Sequence, residues 1–216
     1  MKPIILSVTF CLFMLFSFAQ SDRYAAAMKS KLSLFDSAKT IADLQGLSDA
    51  FVRIGDAEKT QWQPYYYAAL ALSTAGWMGT QSNDFDKDGN AQKMNTLCDK
   101  AEALATADAD KSEICAIRNM AATQQMMVDP QSRYMTYGTA ANNALKKGMQ
   151  LNPNNPRMYY LQGMSLFNTP TQYGGGKDKA KPVFEKAISL YNAEQPVGFN
   201  PRWGKQQAAT QLALCQ

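Results

Sequence analysis

The chain has 216 residues, of which 46% are hydrophobic, a formal net charge of +4 and no histidine. Without an imidazole there is no Ser-His-Asp or Cys-His nucleophile, no histidine-ligated zinc or iron, and no side chain that ordinarily changes charge near neutral pH. Catalysis by carboxylates, lysine or tyrosine stays open. The positive charge is spread along the chain, so the sequence gives no support for a nucleic-acid partner.

The first twenty residues have the order of a secretory signal peptide. Lys2 precedes an apolar run that ends at Phe16, and Ser17-Phe18-Ala19 places small residues three and one positions before a cut. This order predicts cleavage of residues 1–19, export to the periplasm or cell envelope, and one mature domain over residues 20–216. An uncleaved anchor is the alternative. No later stretch is apolar and long enough to predict a transmembrane segment.

The mature chain is predicted to be all-α. Alanine far outnumbers valine and isoleucine, which favours helix over strand. Thr40 is a candidate N-cap for a helix with apolar residues every three or four positions, which Gly55 is expected to end. No stretch alternates apolar and polar residues long enough to predict a strand. The predicted helices are 22–38, 41–54, 62–77, 91–106, 111–128, 132–151, 156–168, 178–193 and 201–214.

The aromatic side chains around the third predicted helix and the cysteines each have two interpretations. Trp62, Tyr65, Tyr66, Tyr67 and Trp77 form an aromatic cluster that is either a ligand platform or, as the helical spacing favours, core packing. Cys98 and Cys115 could form a disulfide after export, but an odd number of mature cysteines favours buried free thiols.

An acidic loop after the third predicted helix is a candidate calcium site. Asp84, Asp86 and Asp88 alternate before Gly89, the pattern with which EF-hand loops supply carboxylate oxygens to Ca²⁺. Asn95 stands where such loops carry a bidentate glutamate. The sequence therefore predicts at most a weak calcium site, and a solvated turn between helices is the favoured alternative. No other metal or cofactor is predicted.

Short motifs recur along the chain at the starts of predicted helices. Pro64-x-x-Tyr67-x-x-Leu70-Ala71 matches Pro156-x-x-Tyr159-x-x-Gln162-Gly163, and the tiny last residue lets a neighbouring helix approach closely. The helix that contains Phe184 has the small–large–small spacing of a second repeat helix. With the exit Leu151-Asn152-Pro153, these motifs resemble the tetratricopeptide repeat, as about three degenerate units over residues 62–196.

The whole chain is also similar to a group of small exported tetratricopeptide-like proteins of flavobacteria and other Bacteroidetes. The similarity is carried by Asp99-Lys100-Ala101-Glu102, Val128-Asp129-Pro130 and Pro201-Arg202-Trp203-Gly204. It implies an α-solenoid of stacked antiparallel helix pairs, with Trp203 on the last helix capping the open end. The group brings no defined activity.

The resemblance also implies a concave groove lined by the first helix of each unit. Ordinary surface and packing positions are the alternative for these residues. The family's groove positions fall on Tyr65, Leu72, Arg157, Tyr160, Met164 and Asn168.

The leading functional prediction is an exported tetratricopeptide-like interaction module, without catalytic activity, that binds a protein or peptide of the envelope. The alternative is an envelope protein that binds a small ligand or carbohydrate and has a calcium-stabilised loop. A hydrolase or lyase built on carboxylates and tyrosine ranks third.

Overall fold

The computed structural model describes residues 22–35, 37–79 and 84–216, and in this part of the chain it contains helices and no strand. The predicted signal peptide lies outside the described residues. None of the described helices has both the length and the apolar character needed to cross a membrane. The helices are α1 (22–35), α2 (Ile41–Glu58), α3 (Gln63–Met78), α4 (Lys87–Leu104), α5 (Asp108–Met126), α6 (Pro130–Arg133), α7 (Thr139–Leu151), α8 (Pro156–Asn168), α9 (Lys177–Ala193) and α10 (Lys205–Ala213).

Helices that follow one another in the chain pack side by side. The pairs are α2 with α3, α3 with α4, α4 with α5, α5 with α7, α8 with α9 and α9 with α10, and α5 also contacts α3 and α8. A π-helical turn, Tyr134–Gly138, joins the short α6 to α7. Most residues of α3 are buried, so this helix runs through the centre of the core. The predicted all-α fold of packed neighbouring helices is confirmed.

Local capping signals determine where two of these helices begin. Thr40 and Asp43 form a capping box at α2: the Asp43 amide donates to the Thr40 hydroxyl at 3.1 Å, and the Thr40 amide donates to the Asp43 carboxylate at 2.9 Å. At α8 the Asn155 side chain accepts from the Arg157 amide at 2.9 Å. The predicted N-cap at Thr40 is confirmed.

The end of α2 differs from the prediction. The helix runs one turn beyond Gly55, and Lys59 ends it in the left-handed conformation with φ 62°. Gly55 lies inside the helix, and the Tyr65 ring packs directly on it, where a Cβ would come within 2.8 Å of the ring. The glycine therefore permits close helix packing and does not stop the helix.

The predicted last helix, 201–214, is wrong at its start. Gly204 has φ 105° and helix α10 begins only at Lys205. Residues 194–204, which we call the strap, have no helical structure, so Trp203 lies in the strap and not on the last helix. A side chain at position 204 would also collide with the Tyr191 hydroxyl.

Close approach at a tiny residue is confirmed in the third predicted unit. A Cβ at Gly163 on α8 would lie 2.5 Å from the Phe184 ring on α9. The Cys98, Cys115 and Cys215 thiols are free and buried. These cysteines therefore pack as small apolar residues, which is the favoured sequence interpretation.

Candidate functional site

The strap covers the face that the sequence predicts to be an open groove. The Trp203 indole Nε1 donates to the Tyr66 hydroxyl on α3 at 2.7 Å, and the Gln63 amide donates to the Asn200 side chain at 3.1 Å. The Trp203 ring also lies edge-on to Tyr160 on α8, with 6.3 Å between ring centroids. The chain thus occupies part of this face of α3 and α8 with its own residues.

Arg157 lies at the centre of the strap contacts. Its side chain is 0% exposed, and the guanidinium donates to Glu113 on α5 at 3.1 Å, to Glu194 at 2.6 Å and to the Pro201 carbonyl at 2.6 Å. Such a fully buried, multiply bonded cation holds three parts of the chain together. It is not presented to a ligand in this conformation.

Burial raises the pKa of Glu113 to about 7, although the charge of Arg157 opposes this effect. Burial also lowers the pKa of Arg157, but the charge of Glu113 acts together with Tyr66, the Glu194 hydrogen bond and Tyr191 and raises the pKa above its usual value. Glu113 and Glu194 share the Arg157 guanidinium, so the positive charge of Arg157 offsets only part of the effect of burial on the pKa of Glu113.

The other predicted groove residues do not share one open face. Tyr65 and Leu72 are buried in the core, whereas Tyr160 and Met164 are half-buried and Asn168 is exposed. The expectation that Tyr65, Leu72 and Arg157 face an open groove is corrected, because neighbouring helices and the strap pack on them. Ligand contact by Tyr160, Met164 and Asn168 stays a prediction.

Tyr65 lies instead beneath an open depression of about 520 Å³ between α2, α3 and α4. The polar groups in it satisfy one another: Asp56 accepts from the Tyr65 hydroxyl at 2.7 Å and from Lys100 at 3.2 Å. Burial and the Asp56 hydrogen bond raise the pKa of Tyr65 to about 12. The depression is lined by Asp56, Lys59, Tyr65, Lys100, Ala103 and Leu104.

The acidic loop opens a helix. Asp86 is the N-cap of α4 and accepts from the Gly89 amide at 2.8 Å, so the helix begins at Lys87, four residues before the predicted start. Asp88 accepts from the Arg133 guanidinium at 2.7 and 2.9 Å. The described residues contain no group of three metal-ligating side chains arranged for an ion. Calcium binding by Asp84, Asp86 and Asp88 stays a prediction, and an ion would compete with these partners.

Several large apolar side chains lie exposed near the neighbouring ends of α3 and α5 and in the π-helical turn that packs on α5. The Gln124 amide near the end of α5 donates to the Ser73 carbonyl near the end of α3 at 2.8 Å. Arg133 donates to the Gln125 carbonyl at 3.2 Å, which holds the turn against the same end of α5. We call these side chains the end patch: Trp77, Met78, Met127, Val128, Tyr134 and Met135.

The end patch contains six of the ten exposed large apolar side chains in the described part of the chain, and its members are 38–78% exposed. Concentrated apolar surface of this kind marks a binding site more often than scattered exposed residues do. Aromatic rings and thioethers suit a flat apolar ligand, because rings stack on it and methionine adapts to its outline. π-Helical turns also occur frequently at functional sites.

Of these six residues, sequence reasoning considered only Trp77 as a ligand contact, and Val128 entered only through a motif of the family similarity. Two signals were available: Met126-Met127-Val128 keeps an apolar run past the end of a helix, and Tyr134-Met135 follows it within the next helical segment. Neither signal shows that these segments lie at the same end of the helices as Trp77, because that placement depends on how α3 and α5 pack.

One solved structure that is similar to this chain is the HusA haemophore from Porphyromonas gingivalis. The two sequences are 36% identical, the match covers 89% of this chain and 92% of that chain, and the TM-score is 0.79. No protein-family model matches the chain, and no curated protein sequence matches it. The tetratricopeptide assignment therefore remains a resemblance.

Proposed function

This chain belongs to the family of the HusA haemophore, and we propose from that membership that it is a non-catalytic haem-binding protein. A haemophore is by name a protein that carries haem. This proposal favours the small-ligand alternative over the peptide-binding module predicted first. A peptide on the first-helix face of α3 and α8 would have to displace the strap, which supports the same preference.

The composition of the chain limits how haem is recognised. Haem is a flat apolar macrocycle with two carboxylates at one edge, and many proteins hold its iron through histidine. This chain has no histidine. Apolar side chains that cover the macrocycle are then the main candidates for recognition, and any ligand to the iron has to be a residue other than histidine.

We assign haem contact to the end patch. Trp77 and Tyr134 supply rings that can stack on the macrocycle, and the methionines supply flexible apolar contacts around them. Covering these residues would remove apolar surface from water on both partners, which is the main favourable contribution to binding. Export to the periplasm or envelope, supported by the pattern of residues 1–19, is part of this proposal.

Haem titration of the purified protein tests the function, with the Soret absorption band as the measurement. We expect a saturable spectral change. Tyr134→Ala should weaken binding about tenfold, a loss of about 1.4 kcal/mol. Tyr173→Ala is the matched control, because Tyr173 is 75% exposed, compared with 62% for Tyr134, and lies outside the end patch.

The two levels of the proposal can fail separately. Absence of any saturable change at excess haem would contradict haem binding itself. Equal affinity of the Tyr134→Ala and Tyr173→Ala proteins would remove the end patch as the contact surface and leave the function in place.

A further inference from the structure

We propose that the face of α3 and α8 beneath the strap is a second binding site, and that the strap fills it as a built-in substitute for a ligand. The ligand is an extended segment of another protein that carries a carboxylate and, nine residues later, an indole, as the strap does. It binds when the strap has moved away. This inference does not depend on haem binding, because the strap contacts the start of α3 and the end patch includes the end of that helix.

The first observation is a set of buried polar atoms at the strap that have no hydrogen-bond partner. The described part of the chain has five buried side-chain oxygen or nitrogen atoms of this kind. Four belong to residues that touch the strap, namely the Tyr24 and Tyr191 hydroxyls, Gln63 Oε1 and Arg157 Nε. The fifth belongs to Gln124, towards the opposite end of α3. The closed strap therefore keeps polar atoms from water without giving them a new partner, which favours opening.

The second observation is how the strap is attached to the helices. The hydrogen bonds that join it to α3 and α8 all involve a side chain. Within the strap, the Asn200 amide donates to the Val197 carbonyl at 3.0 Å. Lifting the strap from α3 and α8 therefore breaks no backbone hydrogen bond of these two helices. Such an opening is local and does not require the core to unfold.

The third observation is the chemistry that the strap presents to this face. Glu194 gives the Arg157 guanidinium a carboxylate oxygen at 2.6 Å, and Trp203 gives the Tyr66 hydroxyl an indole N–H at 2.7 Å. The Trp203 ring centroid also lies 5.5 Å from the centre of the Arg157 guanidinium. When the strap moves away, the same guanidinium and hydroxyl become available to the same groups of another chain. The strap has no helix, so a segment that repeats its contacts is also extended.

A labelled synthetic peptide with the sequence of residues 194–204 tests this inference on the full chain, with fluorescence anisotropy as the measurement. The native chain should bind it weakly, because only the open fraction is competent and the apparent Kd is the intrinsic Kd divided by that fraction. Trp203→Ala removes a contact of the strap, so its open fraction is larger and it should bind the peptide about tenfold more tightly. Val197→Ala, at an exposed strap position, is the matched control and should keep the native affinity.

Altered peptides test which groups are recognised. Replacing the glutamate of the peptide with glutamine, or its tryptophan with alanine, should each weaken binding to the Trp203→Ala chain about tenfold, because each change removes a hydrogen bond to a buried partner. Replacing the valine of the peptide with alanine should leave the affinity unchanged, since Val197 is 72% exposed in the strap.

Amide hydrogen exchange of the native chain gives a measurement that needs no variant. Saturating peptide should make the amides of residues 198–204 exchange faster, because the bound peptide holds the strap open. The amides of α4 and α5 should keep their protection, because the opening is local. If Trp203→Ala does not fold, this measurement alone decides.

Three results would overturn the inference. The first is the absence of saturable peptide binding to a folded Trp203→Ala chain, or of faster strap exchange in the native chain, at millimolar peptide. The second is equal affinity for the unaltered peptide and the peptides that lack the carboxylate or the indole. The third is a two-chain complex of Trp203→Ala without peptide in sedimentation velocity, because a second copy would then occupy the face.

Discussion

Arg157 on α8 is a buried cation whose partners come from two other parts of the chain: Glu113 on α5, and Glu194 and the Pro201 carbonyl in the strap. Replacing it with methionine would leave two carboxylates without their cation in a low-dielectric environment. We expect Arg157→Met to lower the free energy of unfolding by about 3–5 kcal/mol. Urea unfolding measures the change, and Arg53→Met, at an exposed position of α2, should cost less than about 0.5 kcal/mol.

Glu113 should make stability depend on pH. Its pKa rises from 4.5 to about 7 on folding because the carboxyl is buried, with Arg157, Glu194 and Tyr66 facing it. A raised carboxyl pKa means that the folded state binds the proton more tightly. The stability contributed in this way is present below pH 4.5 and is lost as the pH rises through about 7.

The Glu113→Gln variant removes this titration. The native protein should lose stability relative to this variant as the pH rises from 5 to 8. The change in the difference between their free energies of unfolding should be up to roughly 3 kcal/mol, as the pKa difference of Glu113 requires. Urea unfolding at both pH values measures this change, and Glu185→Gln, on the exposed side of α9, is the control. An identical pH profile for the Glu113→Gln and native proteins would contradict the assignment.

Gly163 tests how closely two helices approach. A Cβ on α8 at this position would lie 2.5 Å from the Phe184 ring. Gly163→Ala should therefore destabilise the protein by about 1–3 kcal/mol through overpacking. Gly46→Ala in helix α2 is the control, because a Cβ at position 46 would meet nothing within 4 Å. This variant should stabilise the protein by up to about 1 kcal/mol. Thermal unfolding of the two variants should shift in opposite directions.

The strap has a backbone turn in which the Asn200 amide donates to the Val197 carbonyl, and side chains hold it to the helices. Trp203 connects it to α3 through the Tyr66 hydroxyl and to α8 through the Tyr160 ring. Trp203→Ala should lower the free energy of unfolding by about 2–4 kcal/mol. This is somewhat less than the loss for a tryptophan in a full core, because Trp203 is only partly buried. Amide hydrogen exchange should become faster at residues 198–204 while α4 and α5 keep their protection. Val197→Ala, at an exposed strap position, should leave both unchanged.

Helices whose ends and faces are determined by nearby residues could be predicted from the sequence, and the strap could not. The Thr40 cap, the prolines that open α3 and α8, and the apolar period of α2 and α9 all act within a few residues, so sequence reasoning located these helices. Arg157 pairs with Glu113 and Glu194 across separations of 44 and 37 residues. A helical pattern gives the position of Arg157 on its helix but not the acids that pack against it. For this reason Arg157, which was predicted to line the groove, is found buried in ion pairs with Glu113 and Glu194.

The candidate site depends on how the helices are assembled. Trp77, Met127 and Tyr134 belong to three segments that the Gln124–Ser73 and Arg133–Gln125 hydrogen bonds hold at one end of the molecule. Each segment alone is unremarkable as a helix end or turn. The exposed apolar surface exists only because the ends of α3 and α5 lie side by side, and this information is absent from any single stretch of sequence.

In the whole molecule, the buried charges around Arg157 and the proposed haem contact lie at opposite ends of α3. The Arg157 cluster contacts Tyr66 near the start of this helix, and the end patch includes Trp77 near its end. Haem that binds only the native state should stabilise it by about 2.7 kcal/mol when free haem is a hundredfold above its Kd. For a chain of this size, the corresponding rise in Tm is about 5–10 °C.

Two variants should separate the Tm without haem from the rise in Tm that haem causes. Trp77→Ala should shrink the rise caused by haem, and it should lower the Tm without haem less than Arg157→Met does, because the side chain is 42% exposed. Arg157→Met should lower the Tm without haem and keep the rise caused by haem. Differential scanning calorimetry with and without haem measures all four values. A haem effect that disappears in Arg157→Met and persists in Trp77→Ala would instead place the ligand beneath the strap.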